Sequence, residues 1–179
     1  FALGTLMNDS LPPPVVTSLR MTLAAAVLLP WMLKIDRDHL LLPAAFAGCF
    51  TALGYVTQSL ALFDTDPARV SFLGAATVLW CPFLEILVDR KDLSWNTSPQ
   101  TWIAAILCLV GVAILELGGA SSAGAFSGIN MGDGLAVLQA VGFGTACFLS
   151  AKLVNGKPQQ VIPVTSILIG MTALLSWVW

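Results

Sequence analysis

Leu42-Pro43-Ala44-Ala45-Phe46-Ala47-Gly48-Cys49-Phe50-Thr51-Ala52-Leu53-Gly54-Tyr55-Val56-Thr57-Gln58-Ser59-Leu60-Ala61-Leu62 is a run of 21 residues without a charged side chain. At about 1.5 Å of rise per residue, a helix of this length reaches about 30 Å, the thickness of a bilayer's hydrocarbon core. Within it Thr51, Tyr55, Gln58 and Ser59 fall at i, i+4, i+7 and i+8. Those positions share one helix face, which must point into a bundle or a wet cavity, because lipid offers no hydrogen bonds.

Outward from that run, further apolar stretches at 13–33, 67–88, 99–118, 133–153 and 161–179 are separated by Pro, Gly and charged clusters, and residues 1–7 read as the tail of an earlier span. Over the 179 residues, 57% are hydrophobic and 10% charged, which excludes an ordinary soluble domain. Long runs without alternation of polar and apolar residues exclude an outer-membrane barrel, so the expected fold is an all-α transmembrane bundle. A net charge of −2 with scattered basic residues supplies no footing for nucleic acid. Cys49, Cys81, Cys108 and Cys147 lie in four separate runs and His39 is the sole histidine; no metal or cofactor is expected. No Gly-rich phosphate loop is present, and Asn130 stands where an intramembrane aspartyl protease would have Gly ahead of Gly132-Asp133, so no enzyme is expected. The chain begins at Phe1 and stops at Trp179 inside an apolar run, and it reads as a bundle truncated at both ends.

Basic loops alternate with loops that lack basic residues. Lys34 and Arg37, Arg90 and Lys91, and Lys152 and Lys157 fall on one side, while Asp64, Asp66 and the uncharged segment 119–131 fall on the other. The positive-inside rule places the first set toward the cytosol or its equivalent. Asp66 before Pro67, Ser98 before Pro99, and Asp133 after Gly132 supply helix-starting acceptors. Arg69, close to Asp64 and Asp66, reads as an exposed ion-paired group. Pro82 predicts a kink or a freed carbonyl inside span 67–88.

Pro14-Val15-Val16-Thr17-Ser18-Leu19-Arg20-Met21-Thr22 at the start of one span is similar to Pro163-Val164-Thr165-Ser166-Ile167, with Met171-Thr172, at the start of the last. An odd number of spans separates the two, so the motif enters the membrane from opposite faces. That is the pattern of an inverted-topology repeat, which many secondary carriers use for alternating access.

On these residues the chain resembles the drug/metabolite transporter superfamily, EamA type. Leu19-Arg20, Pro67-Ala68-Arg69-Val70-Ser71-Phe72-Leu73, Pro82, Asp92-Leu93-Ser94-Trp95 and Gly111-Val112 carry the resemblance, and Gly132-Asp133-Gly134-Leu135 looks like the opening of the second repeat. Asp92 stands where the family usually has Glu, and Ala104 or Ala105 where a small Gly is common. The resemblance implies two inverted repeats of helices. It divides the chain into a first repeat at 1–118, a polar uncharged loop at 119–131, and the start of a second repeat at 132–179. It further implies a small organic metabolite as substrate, the lipid bilayer as surroundings, and a multi-pass location. A homodimer is left open, and a non-transporting scaffold or assembly subunit is the alternative reading.

Counting helix rise from the outer end of each span places Arg20, Tyr55 and Gln139 at about 10 Å, Gln58 at about 6 Å and Glu116 at about 5 Å. One layer of polar groups is the expected substrate-binding site: Arg20, Tyr55, Gln58 and Gln139. Arg20 has two readings, holding an anionic group of the substrate or pairing with Glu116. The others read equally as interhelical hydrogen-bonding groups. Ala44, Gly48 and Ala52 form a small-x-x-x-small stripe, and Gly142 and Gly144 read as packing notches or a hinge.

Overall fold

A computed structural model describes residues 13–33, 40–89, 99–119 and 131–178. Among them the elements are helical: α1 Pro13–Met32, α2 Leu41–Asp64, α3 Pro67–Gly74, α4 Thr77–Asp89, α5 Pro99–Gly119, α6 Met131–Val154, a 3-10 turn Pro158–Gln160, and α7 Val161–Val178. Five segments are long and apolar enough to cross a bilayer, at 15–32, 41–64, 69–88, 131–154 and 158–178, and α5 carries a shorter apolar stretch, Trp102–Gly111. Ser98 and the segment 120–130 lie outside the described residues, as do Lys34, Arg37, His39, Arg90, Lys91 and Asp92.

Helix ends follow local chemistry. The carbonyl of Asp66 accepts the amides of Arg69 and Val70 at 2.9 and 3.1 Å, so Asp66 starts α3 as its sequence position predicts. Asp133 does not start a helix, because α6 already begins at Met131 and Asp133 is buried within its first turn. Gly156, at φ +79°, closes α6, with Asn155 and Lys157 amides returning to Ala151 and Val154. A left-handed residue after a helix is the position where glycine avoids the Cβ penalty.

α2 is the centre of the bundle. It packs closely on α6 along one side and on α7 along the other, α1 lies on α7, and α3 and α4 lie on α6. α2 and α6 run antiparallel: the amide of Gly54 and carbonyl of Phe50 abut Gly142, while Thr65 and the Ala61 carbonyl abut Gly132. A Cβ on Gly142 would stand 3.0 Å from the Gly54 nitrogen, so here backbone meets backbone. Small residues are what permit that approach, since water-driven association is absent between helices in lipid.

The small-residue stripe of α2 serves α7. Ala44, Gly48 and Ala52 are buried, with Gly48 against Leu168 and Met171. Leu40, Ala44 and Ala47 cluster with Val164, Ile167 and Leu168, which makes α2 and α7 parallel. α1 is antiparallel to α7, because Trp177 Nε1 donates to Thr22 Oγ1 at 2.8 Å while Met32 reaches Gly170. The two helices that carry the similar Pro-Val-Thr-Ser starts thus lie side by side in opposite directions.

Span 67–88 is not one helix. It divides at Ala75-Ala76 into α3 and α4, seven and six residues ahead of Pro82, which sits buried within α4.

Candidate functional site

The division of the span has a visible cause in its hydrogen bonds. The Val78 amide bonds to Ala75 O at 3.0 Å, leaving Gly74 O without its helical donor, and Thr77 Oγ1 donates to that carbonyl at 2.7 Å instead. Ala76 to Leu73 and Leu79 to Ala76 tighten the same turn at 3.1 and 3.0 Å. A Gly-Ala-Ala run offers few side-chain contacts to hold a regular helix, and a Thr hydroxyl competes for the carbonyl; together they outweigh the proline further on.

α3 and α4 then meet α6 differently. On α4, Trp80 Nε1 donates to Thr145 Oγ1 at 3.1 Å, the Cys81 thiol donates to Gly144 O at 3.3 Å, and the Trp80 side chain fills the space over Gly144, where a Cβ would stand 2.9 Å from its own Cβ. Cys81 also meets the Cys147 thiol, two positions that nothing in their sequence spacing relates. On α3, Arg69 Nη2 pairs with Asp133 Oδ2 at 3.0 Å, with the side chains 19% and 12% exposed. Arg69 is therefore a half-buried tie between helices rather than an exposed partner of the nearby aspartates alone. The one signal in the sequence was depth: Arg69 and Asp133 each lie within a turn of the start of a span that begins on the non-basic side, but that does not say which helices meet.

Gln139 lies where α3 ends. Its side chain is 4% exposed, its Oε1 has no hydrogen-bond partner among the described residues, and its Nε2 would be 2.8 Å from a Cβ on Gly74. One turn along α6, Phe143 meets Tyr55 edge to face, with ring centroids 4.8 Å apart at 80°. The antiparallel register of α2 and α6 sets half-buried Gln58 level with the turn that carries Gln139. Of the other two members of the polar face, Ser59 shares a 2.8 Å hydrogen bond with Thr17 of α1 and Thr51 donates back to the Ala47 carbonyl at 3.1 Å.

Of the residues expected in one layer, then, Tyr55, Gln58 and Gln139 fall along the α2–α6 seam. Arg20 does not join them: it is exposed on α1, beside exposed Leu19 and Leu23, with no partner among the described residues. Helix depth carries no information about azimuth, which is what separates Arg20 from the seam. Glu116 belongs to α5 and its side chain lies outside the described ones. Among the described residues no group of three or more His, Cys, Asp or Glu is placed to hold a metal.

This architecture is that of an integral multi-pass helical membrane protein. The EamA-like transporter family matches residues 1–117, more than half of the 179. The chain belongs to that family, one of membrane transporters of the drug/metabolite type rather than enzymes. Neither a curated protein nor a solved structure matches it.

Proposed function

We propose that the chain carries a small organic metabolite across the bilayer by alternating access, binding it along the α2–α6 seam through Tyr55, Gln58 and Gln139. The observation that carries this reading is the discontinuous span beside Gln139, a side chain 4% exposed whose Oε1 has no hydrogen-bond partner among the described residues. Discontinuous helices with unpaired polar groups near mid-membrane are how secondary carriers build solute sites, and an unsatisfied amide in a packed apolar seam is otherwise a cost without return. The antiparallel pairing of α1 and α7 supports a bundle made of inverted halves. Arg20 stays outside this group.

Solute uptake into proteoliposomes tests it, with a mixed metabolite pool screened by mass spectrometry. Gln58→Ala and Gln139→Ala are expected to lower uptake at least tenfold for whichever solute enters. Unchanged rate and unchanged apparent affinity in both variants would sink the site, and absence of any uptake would sink the transport reading.

A further inference from the structure

α3 is short, eight residues, and is fastened to α6 by the Arg69–Asp133 pair and to both α2 and α6 by Val70 packing with Ala61 and Ala136. α4, beyond the break, is fastened by Trp80, Cys81 and the Gly144 notch. The joint between them, Gly74 to Thr77, mixes i-to-i+3 bonds with the i-to-i+4 bonds of Ala75 to Ser71 and Trp80 to Ala76, its Thr77 hydroxyl lies 2.7 Å from the Gly74 carbonyl and 3.4 Å from that of Ala140 on α6, and Gly74 is the residue lying on the Gln139 amide. A half-helix thus ends directly over a buried polar group whose oxygen has no partner among the described residues.

We propose that α3 is a hinged cover, pivoting at Gly74–Thr77 and latched by Arg69–Asp133, over a hydrogen-bonding site at Gln139 that takes an uncharged polar solute. The nature of the solute follows from the charges nearby. On α2, α3, α4 and α6 the nearest ionic groups to Gln139 are Arg69 and Asp133, which neutralise each other; six residues along α6 place them about 9 Å away. A solute with net charge would enter a region that offers it no counter-charge on those helices, at a large desolvation cost. A carboxamide both donates and accepts, so it matches a solute edge with an adjacent carbonyl and N–H, as in amides, lactams and nucleobases. The Tyr55–Phe143 pair one turn away provides an aromatic wall for a planar body. The inference deepens the transport reading and rests on it for the solute's passage, whereas binding at Gln139 is measurable without flux.

The test uses the full chain in lipid nanodiscs and three probes of nearly one shape: benzamide, benzoate and benzamidinium, read by equilibrium dialysis. Expected are saturable binding of benzamide, at least tenfold weaker binding of both ions, and at least tenfold loss of benzamide affinity in Gln139→Leu. Arg69→Gln, which cuts the latch, is expected to speed benzamide association severalfold while keeping the preference for the neutral probe. Should Gln139→Leu not fold, Gly74→Ala serves in its place, since its Cβ displaces the amide. No saturable benzamide binding, stronger binding of either ion, or unchanged benzamide affinity in the variant overturns the site; unchanged association in Arg69→Gln overturns the latch. Benzamide bound through Gln139 without any solute flux in proteoliposomes would sink the transport reading alone. Flux together with Gln139-independent benzamide binding would sink this inference alone.

Discussion

α3 and α4 come from one apolar stretch of sequence, yet α4 is keyed into a notch on α6, whereas α3 rests there through an ion pair and the packing of Val70. α4 fits a side chain into a notch: Trp80 over Gly144, with hydrogen bonds to Thr145 and to the Gly144 carbonyl. α3 has no such notch, and its ion pair stands near the outer end of the bundle. Dispersion and fitted shape hold a helix rigidly because they fail outright when atoms separate, whereas the charges of a half-buried ion pair are hydrated as they part, so that their separation costs less. The comparison teaches that continuity of hydrophobicity does not imply continuity of mechanical behaviour.

The strongest way to break the comparison is to unpin α4. Trp80→Ala is expected to cost about 2–4 kcal/mol of folding stability, below the full-burial upper end because Trp80 is half-exposed. Unfolding in a lipid-like bilayer reads it, and a loss under 1 kcal/mol would mean that α4 is no better held than α3. Next comes the latch: Asp133→Asn is expected to cost about 1–3 kcal/mol, since it leaves Arg69 without its formal counter-charge on α6. Hydrogen exchange should then quicken at amides 68–74 and not at those within 77–89, and equal acceleration of both segments would remove the distinction between them.

A smaller change sharpens the joint. Thr77→Val deletes the hydroxyl that caps the Gly74 carbonyl, and about 1 kcal/mol is the expected loss for one hydrogen bond. Faster exchange confined to the residues beside the break is the accompanying signature; a more stable, more slowly exchanging span would show that the hydroxyl itself breaks the helix. The smallest effect is expected at Gln139→Leu, which exchanges a buried amide whose oxygen has no partner among the described residues for an apolar group. Stability should stay level or rise by about 1 kcal/mol, and a clear fall would reveal a partner for the amide in the unliganded protein.

Much of the fold was readable from the chain itself. Apolar runs predicted α1, α2, α5, α6 and α7 within a few residues, because in lipid every backbone group must be satisfied inside its own helix and the length of the run dictates the length of the element. The stripe Ala44, Gly48, Ala52 announced a close contact, and Gly142 and Gly144 announced notches. The division of span 67–88 was not readable from its proline: the break depends on Thr77 competing for one carbonyl within a run of small residues, a balance of single hydrogen bonds. For the site, depth alone grouped Tyr55, Gln58 and Gln139 with Arg20. It had no means to show that Arg20 is exposed on α1 and not packed in the α2–α6 seam.

Composition and run length by themselves determined that this chain is a multi-pass helical bundle, since both depend only on the free energy of placing groups in lipid or water. Only the tertiary structure decided which helices touch. It set α2 between α6 and α7, brought Arg69 to Asp133 across 64 residues of chain, and laid Gly74 over Gln139. Those pairings rest on azimuth and on ångström-scale fit between small residues, quantities that arise only when the helices meet.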